Sequence, residues 1–226
     1  MVCHSAQFKG AVYMKTLYPL TTLNKKEIHE LFECIKPAEH IFAKGEEIMR
    51  LDEKNNMAGM IVSGKAYLAT TTFSGVRTIA DHYDPGSFFG KGFSFSTDLD
   101  PYIIRAASLC RVYIIEYDKL MHCCEKRCEK HARLIDSLII STMHRAQLHI
   151  EVLSRRTIRD KLLTFFRQLS KEKDSRTFEL PFSLSDLADY ISVDRSAMMR
   201  ELKKLNDEKL IVSHARKVSI LKDIVI

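Results

Sequence analysis

The sequence predicts an α+β fold in three consecutive parts: a many-stranded β-barrel or jelly roll, a long amphipathic helix, and a C-terminal helical unit closed by a β-hairpin. Three observations carry that expectation. Between Glu39 and Tyr117, short β-branched and aromatic runs alternate with Gly45, Gly59, Gly64, Gly75, Gly86 and Gly90, the punctuation of short antiparallel strands. From Glu129 to Leu153 the apolar period changes to that of a helix. Beyond Thr157 three capped amphipathic segments follow one another, and the positive charge of the chain gathers there. The expected divisions are residues 1–128, 129–153 and 154–226.

A chain of 226 residues has room for two modest domains, and 46% hydrophobic with 28% charged residues is the composition of a folded soluble protein. No apolar run approaches the roughly 20 residues that span a bilayer, so no membrane partner is expected. Met1 to Gly10 lack the charged start and apolar stretch of a secretory signal, which points to the cytoplasm. There the six cysteines are expected as thiols. The net charge is +6, and from Ser154 onward 16 Lys and Arg face 11 Asp and Glu, leaving the rest of the chain almost neutral. That asymmetry fits a polyanion-binding module joined to a neutral one, or a solvated basic surface.

In chain order, Asn24 with Glu27 three residues on starts a helix over Lys25–Ile35. Clear strands are Met60–Val62, Ala66–Thr71, Arg77–Tyr83 and Arg111–Glu116, with Ser74-Gly75 and Pro85-Gly86 as turn signals. In the long helix, Ile135, Ile139, Thr142, Ala146, His149 and Leu153 recur at alternating four- and three-residue steps, with Leu138, Ile140, Met143 and Ile150 beside them. Part of this stripe is expected on the chain's own barrel and part against a second copy in a two-stranded coiled coil; an ordinary core helix is the alternative. Ser154–Arg156 reads as a hinge. Thr157 caps the next helix, which carries Ile158, Leu162, Phe165, Phe166 and Leu169, and Lys171–Arg176 reads as a charged loop.

The segment from Phe182 to Leu205 reads as two helices and a tight turn. Ser183 caps the first, Leu187, Ala188 and Ile191 face inward, and Ser192-Val193 turns the chain. Asp194 caps the second helix, whose buried face is Met198, Leu202 and Leu205. Its opposite face opens with Arg195, Ser196, Met199 and Arg200, the long donors that reading base edges in the major groove of double-stranded DNA requires. Ser183, Lys203 and Lys204, with Lys209, are placed for phosphates. Leu210–Ser213 and Val218–Leu221 form a hairpin wing whose tip carries Arg216 and Lys217, further phosphate candidates. A small α/β bundle that binds protein is the alternative.

In this order of parts, and in Ile61-Val-Ser-Gly-Lys-Ala, Pro85-Gly-Ser-Phe-Phe-Gly, Thr157-Ile-Arg-Asp-Lys-Leu and the second capped helix, residues 17–222 resemble the Crp/Fnr family of bacterial transcriptional regulators. The resemblance implies a cyclic-nucleotide-binding-like barrel (jelly roll), a long dimerisation helix and a winged helix-turn-helix. It also implies a homodimer on an inverted-repeat operator, control by a small-molecule effector, and RNA polymerase as a further partner. Well-known members place a glutamate where this chain has Ser196. Members that bind cyclic AMP have a Gly-Glu pair and an Arg-Ser pair, and the matching positions here are Gly90-Lys91 and Asp100-Pro101. An aspartate repels a cyclic phosphate that needs an arginine, so a different effector is expected.

The effector pocket implied by the resemblance contains Phe89, Gly90, Lys91, His144 and Arg145, whose donors suit a small organic anion or simply lie solvated at a rim. No cofactor is implied with certainty. His122-Cys-Cys-Glu-Lys-Arg-Cys-Glu-Lys-His131 is a separate cluster: in a helix, Cys124, Cys128 and His131 share a face that suits a soft metal, while Cys123 and Cys124 suit oxidation. Ordinary half-buried thiols are the alternative. The sequence lacks a phosphate-cradling glycine loop, a nucleophile elbow and a metal-hydrolase motif, so an enzyme is not expected; a regulatory docking protein is the nearer rival.

Overall fold

The computed structural model describes residues 24–52, 55–93, 101–121 and 129–222. The chain begins with α1 (Lys25–Ile35), where the Asn24 side chain accepts from the Glu27 amide at 3.0 Å and the Glu27 carboxylate accepts from the Asn24 amide at 2.8 Å. Two orphan helix donors are thereby satisfied, as the Asn-x-x-Glu spacing predicts.

Eight strands follow: β1 (Ala38–Phe42), β2 (Glu47–Leu51), β3 (Met57–Ser63), β4 (Ala66–Thr71), β5 (Arg77–Tyr83), β6 (Phe88–Gly90), β7 (Tyr102–Ala106) and β8 (Cys110–Glu116). They pair antiparallel in two four-stranded sheets, ordered β1-β8-β3-β6 and β2-β7-β4-β5. Of the expected barrel or jelly roll the structure shows the jelly roll, a sandwich of two open sheets, since no described strand pairs from one sheet to the other. The side-chain period of two divides the inner strands β4 and β8 between two apolar environments. On β8, Cys110 and Val112 enter the core between the sheets, while Tyr113 and Ile115 face the opposite way. On β4, Ala66 and Leu68 point inward and Tyr67 and Ala69 outward. Gly59 is required by packing: a Cβ there would stand 2.3 Å from the Phe89 ring.

A short helix α2 (Tyr117–Met121) leads towards α3 (Glu129–Leu153), the long helix, whose bounds match the predicted segment. Leu134 and Leu138 of α3 join Leu31 and Ile35 of α1 against the outer face of the first sheet. Beyond Thr157 come α4 (Ile158–Glu172), β9 (Thr177–Glu179), α5 (Leu184–Tyr190), α6 (Arg195–Asp207), β10 (Ile211–His214) and β11 (Lys217–Ile220). Strand β9 has no counterpart in the sequence pattern; it pairs with β11 and makes the wing a three-stranded sheet. These elements share one core, built on Leu162, Phe166, Leu187, Met198 and Leu205, with the outward residues Tyr67, Ala69 and Ile79 of the second sheet. At about 1.5–3 kcal/mol per buried apolar side chain, this contact fixes how the C-terminal unit sits on the sandwich. No described helix is long and apolar enough to cross a membrane.

Candidate nucleic-acid interface and sensing pocket

The two-helix unit is set by its caps and one turn. Ser183 accepts from the Asp186 amide at 3.1 Å and Asp194 from the Ala197 amide at 2.8 Å. Between them Ser192 takes a left-handed φ of 53°, and the Val193 amide donates to the Ala188 carbonyl at 3.0 Å. Small Ala188 permits that close approach. With Met198, Leu202 and Leu205 buried, α6 presents Arg195, Ser196, Met199 and Arg200 outward. Among the described residues neither Arg195 nor Arg200 makes a side-chain hydrogen bond or ion pair, so their guanidinium forks stay available.

Two ties that the sequence did not signal hold α6 in place. Arg159 of α4 donates to Glu201 at 3.1 Å and to Glu208 at 3.0 Å, and its hydrogen bond holds the Glu208 carboxyl below the ordinary value. Asn206 donates to the Ser213 hydroxyl at 2.8 Å and accepts from the Ser213 amide at 2.8 Å, fastening β10 to the helix. Of the expected phosphate residues, Lys203 and Lys217 are exposed, Lys204 lies 3.7 Å from Glu201, and Arg216 pairs with Glu179. The Ser183 hydroxyl already donates to Asp186 at 2.7 Å.

Arg77 on β5 reaches across to α5. It donates to Asp189 at 2.7 Å and also to Asp186, while its guanidinium stands 5.7 Å from the centre of the Tyr67 ring. Burial alone would lower the Arg77 pKa, but the hydrogen bonds to Asp189 and Asp186 outweigh it and hold it above its ordinary value. Beside this clasp His149 of α3 stacks on Tyr190 at 4.0 Å between ring centres and makes a 2.8 Å hydrogen bond with the Tyr190 carbonyl oxygen. Burial lowers the His149 pKa, against the raising effects of that carbonyl and of Asp81. His82 meets the edges of Phe182 and Tyr190 at 5.3 and 5.7 Å.

The predicted stripe of α3 is divided. Ile135 packs on the first sheet's helical layer, Thr142 is half-buried, and His149 is committed to the chain's own Tyr190. Ile139, Ala146 and Leu153 are exposed, and the free apolar seam runs instead through Ile139, Ile140, Met143, Ala146, Ile150 and Leu153. The phase is shifted because α3 turns Leu134, Leu138, Ser141, Arg145 and Val152 inward.

The expected effector residues do not converge. Phe89 is buried in the sandwich core, and Gly90 adopts φ +94°, where a Cβ would stand 2.7 Å from the Met57 carbonyl oxygen. Lys91 is exposed with its ammonium 5.9 Å from the Tyr117 ring centre. His144 is half-buried, whereas Arg145 is buried, bonded through Nε to Asp81 at 3.3 Å and set over the Tyr83 ring. The physical reason is that β5 offers Arg145 a carboxylate and an aromatic face, which Lys91 on the far turn cannot share. Asp100 lies outside the described residues, and Pro101 is exposed. Cys123, Cys124 and Cys128 also lie outside them; His131 is buried and its Nε2 is bonded to the Leu120 carbonyl oxygen. Among the described residues no group of three or more His, Cys, Asp or Glu is placed to hold a metal.

Residues 39–127 match the model of the cyclic nucleotide-binding domain, and residues 160–223 match that of the Crp-like helix-turn-helix domain. The nitrogen fixation regulation protein FixK of Bradyrhizobium diazoefficiens is 25% identical over 210 residues, 91% of this chain and 86% of the relative. The transcriptional activatory protein AadR of Rhodopseudomonas palustris is 27% identical over 194 residues, 81% of this chain and 77% of the relative. Among solved structures, FixK2 from Bradyrhizobium japonicum superposes with a TM-score of 0.66 at 22% identity, covering 82% of this chain and 93% of that one. A CooA mutant from Carboxydothermus hydrogenoformans gives 0.69 at 11% identity, covering 90% and 89%. At those identities the structural likeness speaks for the fold.

Proposed function

Since the chain belongs to the Crp/Fnr family and is a DNA-binding transcriptional regulator, we propose that it acts as a homodimer on an inverted-repeat operator under the control of a small effector. Residues 1–128 would sense, 129–153 dimerise and 154–226 bind DNA. One observation carries the operator half of this proposal: α6 begins at a capped N-terminus and holds Arg195 and Arg200 outward with no protein partner among the described residues. A two-fold dimer of such helices places its half-sites about 34 Å apart, one turn of the duplex. Arg195, Ser196, Met199 and Arg200 then read bases, while Ser183, Lys203, Lys204, Arg216 and Lys217 hold phosphates.

The relative named as a transcriptional activatory protein supports activation here too. Contact with RNA polymerase follows from that role. The chain works in the cytoplasm by binding and not by catalysis.

Selection from random DNA tests the assignment. Arg200→Ala should cost roughly 1–3 kcal/mol and relax one symmetric pair of positions in the selected motif. Lys217→Ala should weaken all sequences alike and flatten the salt slope by about one unit. A motif left unchanged by Arg200→Ala but altered by Lys217→Ala would show that the wing, not α6, reads the sequence.

A further inference from the structure

A cleft opens where the sandwich, the long helix and the DNA-binding unit meet, lined by Asp81 and Ser87, by Arg145 and Leu148, and by Phe165 and Leu169. Arg145 is its unusual member. The side chain is only 7% exposed, yet among the described residues only Nε of its five N–H groups makes a hydrogen bond, the 3.3 Å contact to Asp81 Oδ2. Asp81 Oδ1 is engaged by the His82 amide at 2.8 Å. Tyr83 covers the guanidinium at 5.8 Å. Among the described residues Nη2 is buried without a partner, and so is Nδ1 of His82, another residue of the cleft wall. Buried charged donors are rarely left in that state, so an acceptor is missing among the described side chains.

We propose that this cleft binds a small organic carboxylate, with Arg145 as its anchor. Nη2 is the donor left over for a carboxylate oxygen among the described residues, and a guanidinium edge matches the two oxygens of a carboxylate in spacing. The cleft encloses about 40 Å³ and is open at its mouth, so a short, flat body behind the carboxylate lies partly outside it, against Leu148, Phe165 and Leu169. Asp84 and Glu172 on the rim are countered by Lys173, at 4.0 and 2.7 Å, and Asp84 also by Lys65 at 3.9 Å. A monoanion therefore meets a balanced rim, whereas a phosphate dianion adds charge beside Asp81. The inference rests on the effector-controlled regulator proposed above and gives that control a place. The site lies outside the sandwich, and its walls come from the sheet, α3 and α4, so occupancy ties together the parts whose relative attitude aims α6. By linkage, DNA and carboxylate must then change each other's affinity by the same factor.

Calorimetry on the full chain with benzoate, benzamide and inorganic phosphate tests the site, with a gel shift on random-sequence DNA run alongside. Benzoate should bind saturably, and benzamide and phosphate should each bind about tenfold more weakly or worse, for want of a charged planar acceptor pair. Arg145→Lys keeps the buried charge beside Asp81 but loses the fork, and should weaken benzoate by a similar factor. Leu148→Trp, which fills the cleft and leaves the charge in place, should abolish binding even if the arginine variant does not fold. No benzoate binding up to roughly 10 mM, the weakest expected for a ligand of this size, would overturn the site, as would equal binding by benzamide or by both variants. Either result with DNA binding intact removes the carboxylate site and leaves the regulator standing; loss of salt-sensitive DNA binding by the wild type removes the regulator itself.

Discussion

Replacing Met143 and Ile150 with Glu should convert the proposed dimer to monomers. Ile139, Ile140, Met143, Ile150 and Leu153 are 47, 53, 68, 65 and 38% exposed, which together amounts to between two and three whole apolar side chains left in water on α3. At about 1.5–3 kcal/mol per side chain, a second copy laid along this seam gains roughly 4–8 kcal/mol per protomer, or about 8–16 for the pair. Association costs about 4–15 kcal/mol in lost freedom, so the seam yields a margin of only a few kcal/mol. Met143 and Ile150 supply nearly half of the exposed fraction. Their loss alone removes the margin, and four facing carboxylates add repulsion. Neither residue belongs to a core cluster, so the melting midpoint of the monomer should move little. Sedimentation equilibrium at micromolar protein is the assay. An unchanged dimer dissociation constant in the double variant would mean that the seam is not the interface, and that the apolar face of α3 covers something else.

Three further outcomes follow from the geometry. A double-mutant cycle of Arg77→Ala and Asp189→Asn in urea unfolding should give a coupling of about 1–2 kcal/mol, as expected for a partly buried charged hydrogen bond, and trypsin should cut faster at Ser154–Arg156; additivity would reduce the clasp to a surface pair. Because burial lowers the His149 pKa below 6.5, the unfolded chain takes up that proton first as the pH falls, so the stability from neutral His149 is present above 6.5 and lost below it. His149→Asn should flatten this part of the unfolding profile, although Asp81 and the Tyr190 carbonyl oppose the shift, and an unchanged profile would assign the dependence elsewhere. Cyclic AMP should give no heat in calorimetry, since Lys91 is turned to Tyr117 and Arg145 to Asp81; micromolar binding would refute that account of the pocket.

What the sequence made legible was local. Asn24, Thr157, Ser183 and Asp194 each cap a helix by accepting from an amide three residues on, an interaction that needs nothing beyond its own turn. The strands β4 and β5 appeared with their bounds because β-branched runs and Gly75 sit side by side in the chain. Strand β9 did not appear. Three residues carry no period, and its support is β11, reached through the wing, with Thr177 and Ser219 sharing a hydroxyl contact of 2.9 Å. Whether two sheets close into a barrel depends likewise on strands far apart in sequence.

The candidate site divides in the same way. The outward face of α6 was legible because its buried face is purely apolar, but α3 is apolar most of the way round and carries an arginine on its buried side. The resemblance sets Arg145 at the effector pocket or its rim; only Asp81 and Tyr83, more than sixty residues earlier, draw it inward. The coupling between sensing and DNA-binding parts did leave one trace in the sequence. Strand β4 begins Ala66, Tyr67, Leu68, Ala69, apolar at consecutive positions where a strand with one wet face would alternate. A strand apolar on both faces must be covered on both. The inner cover is the sandwich core, and the outer cover is the cluster that contains Phe166, Leu187 and Met198. Any movement of the DNA-binding unit away from Tyr67, Ala69 and Ile79 would return those side chains to water. Its attitude therefore has a preferred value before any ligand binds, and an effector needs only a differential affinity of comparable size to change it.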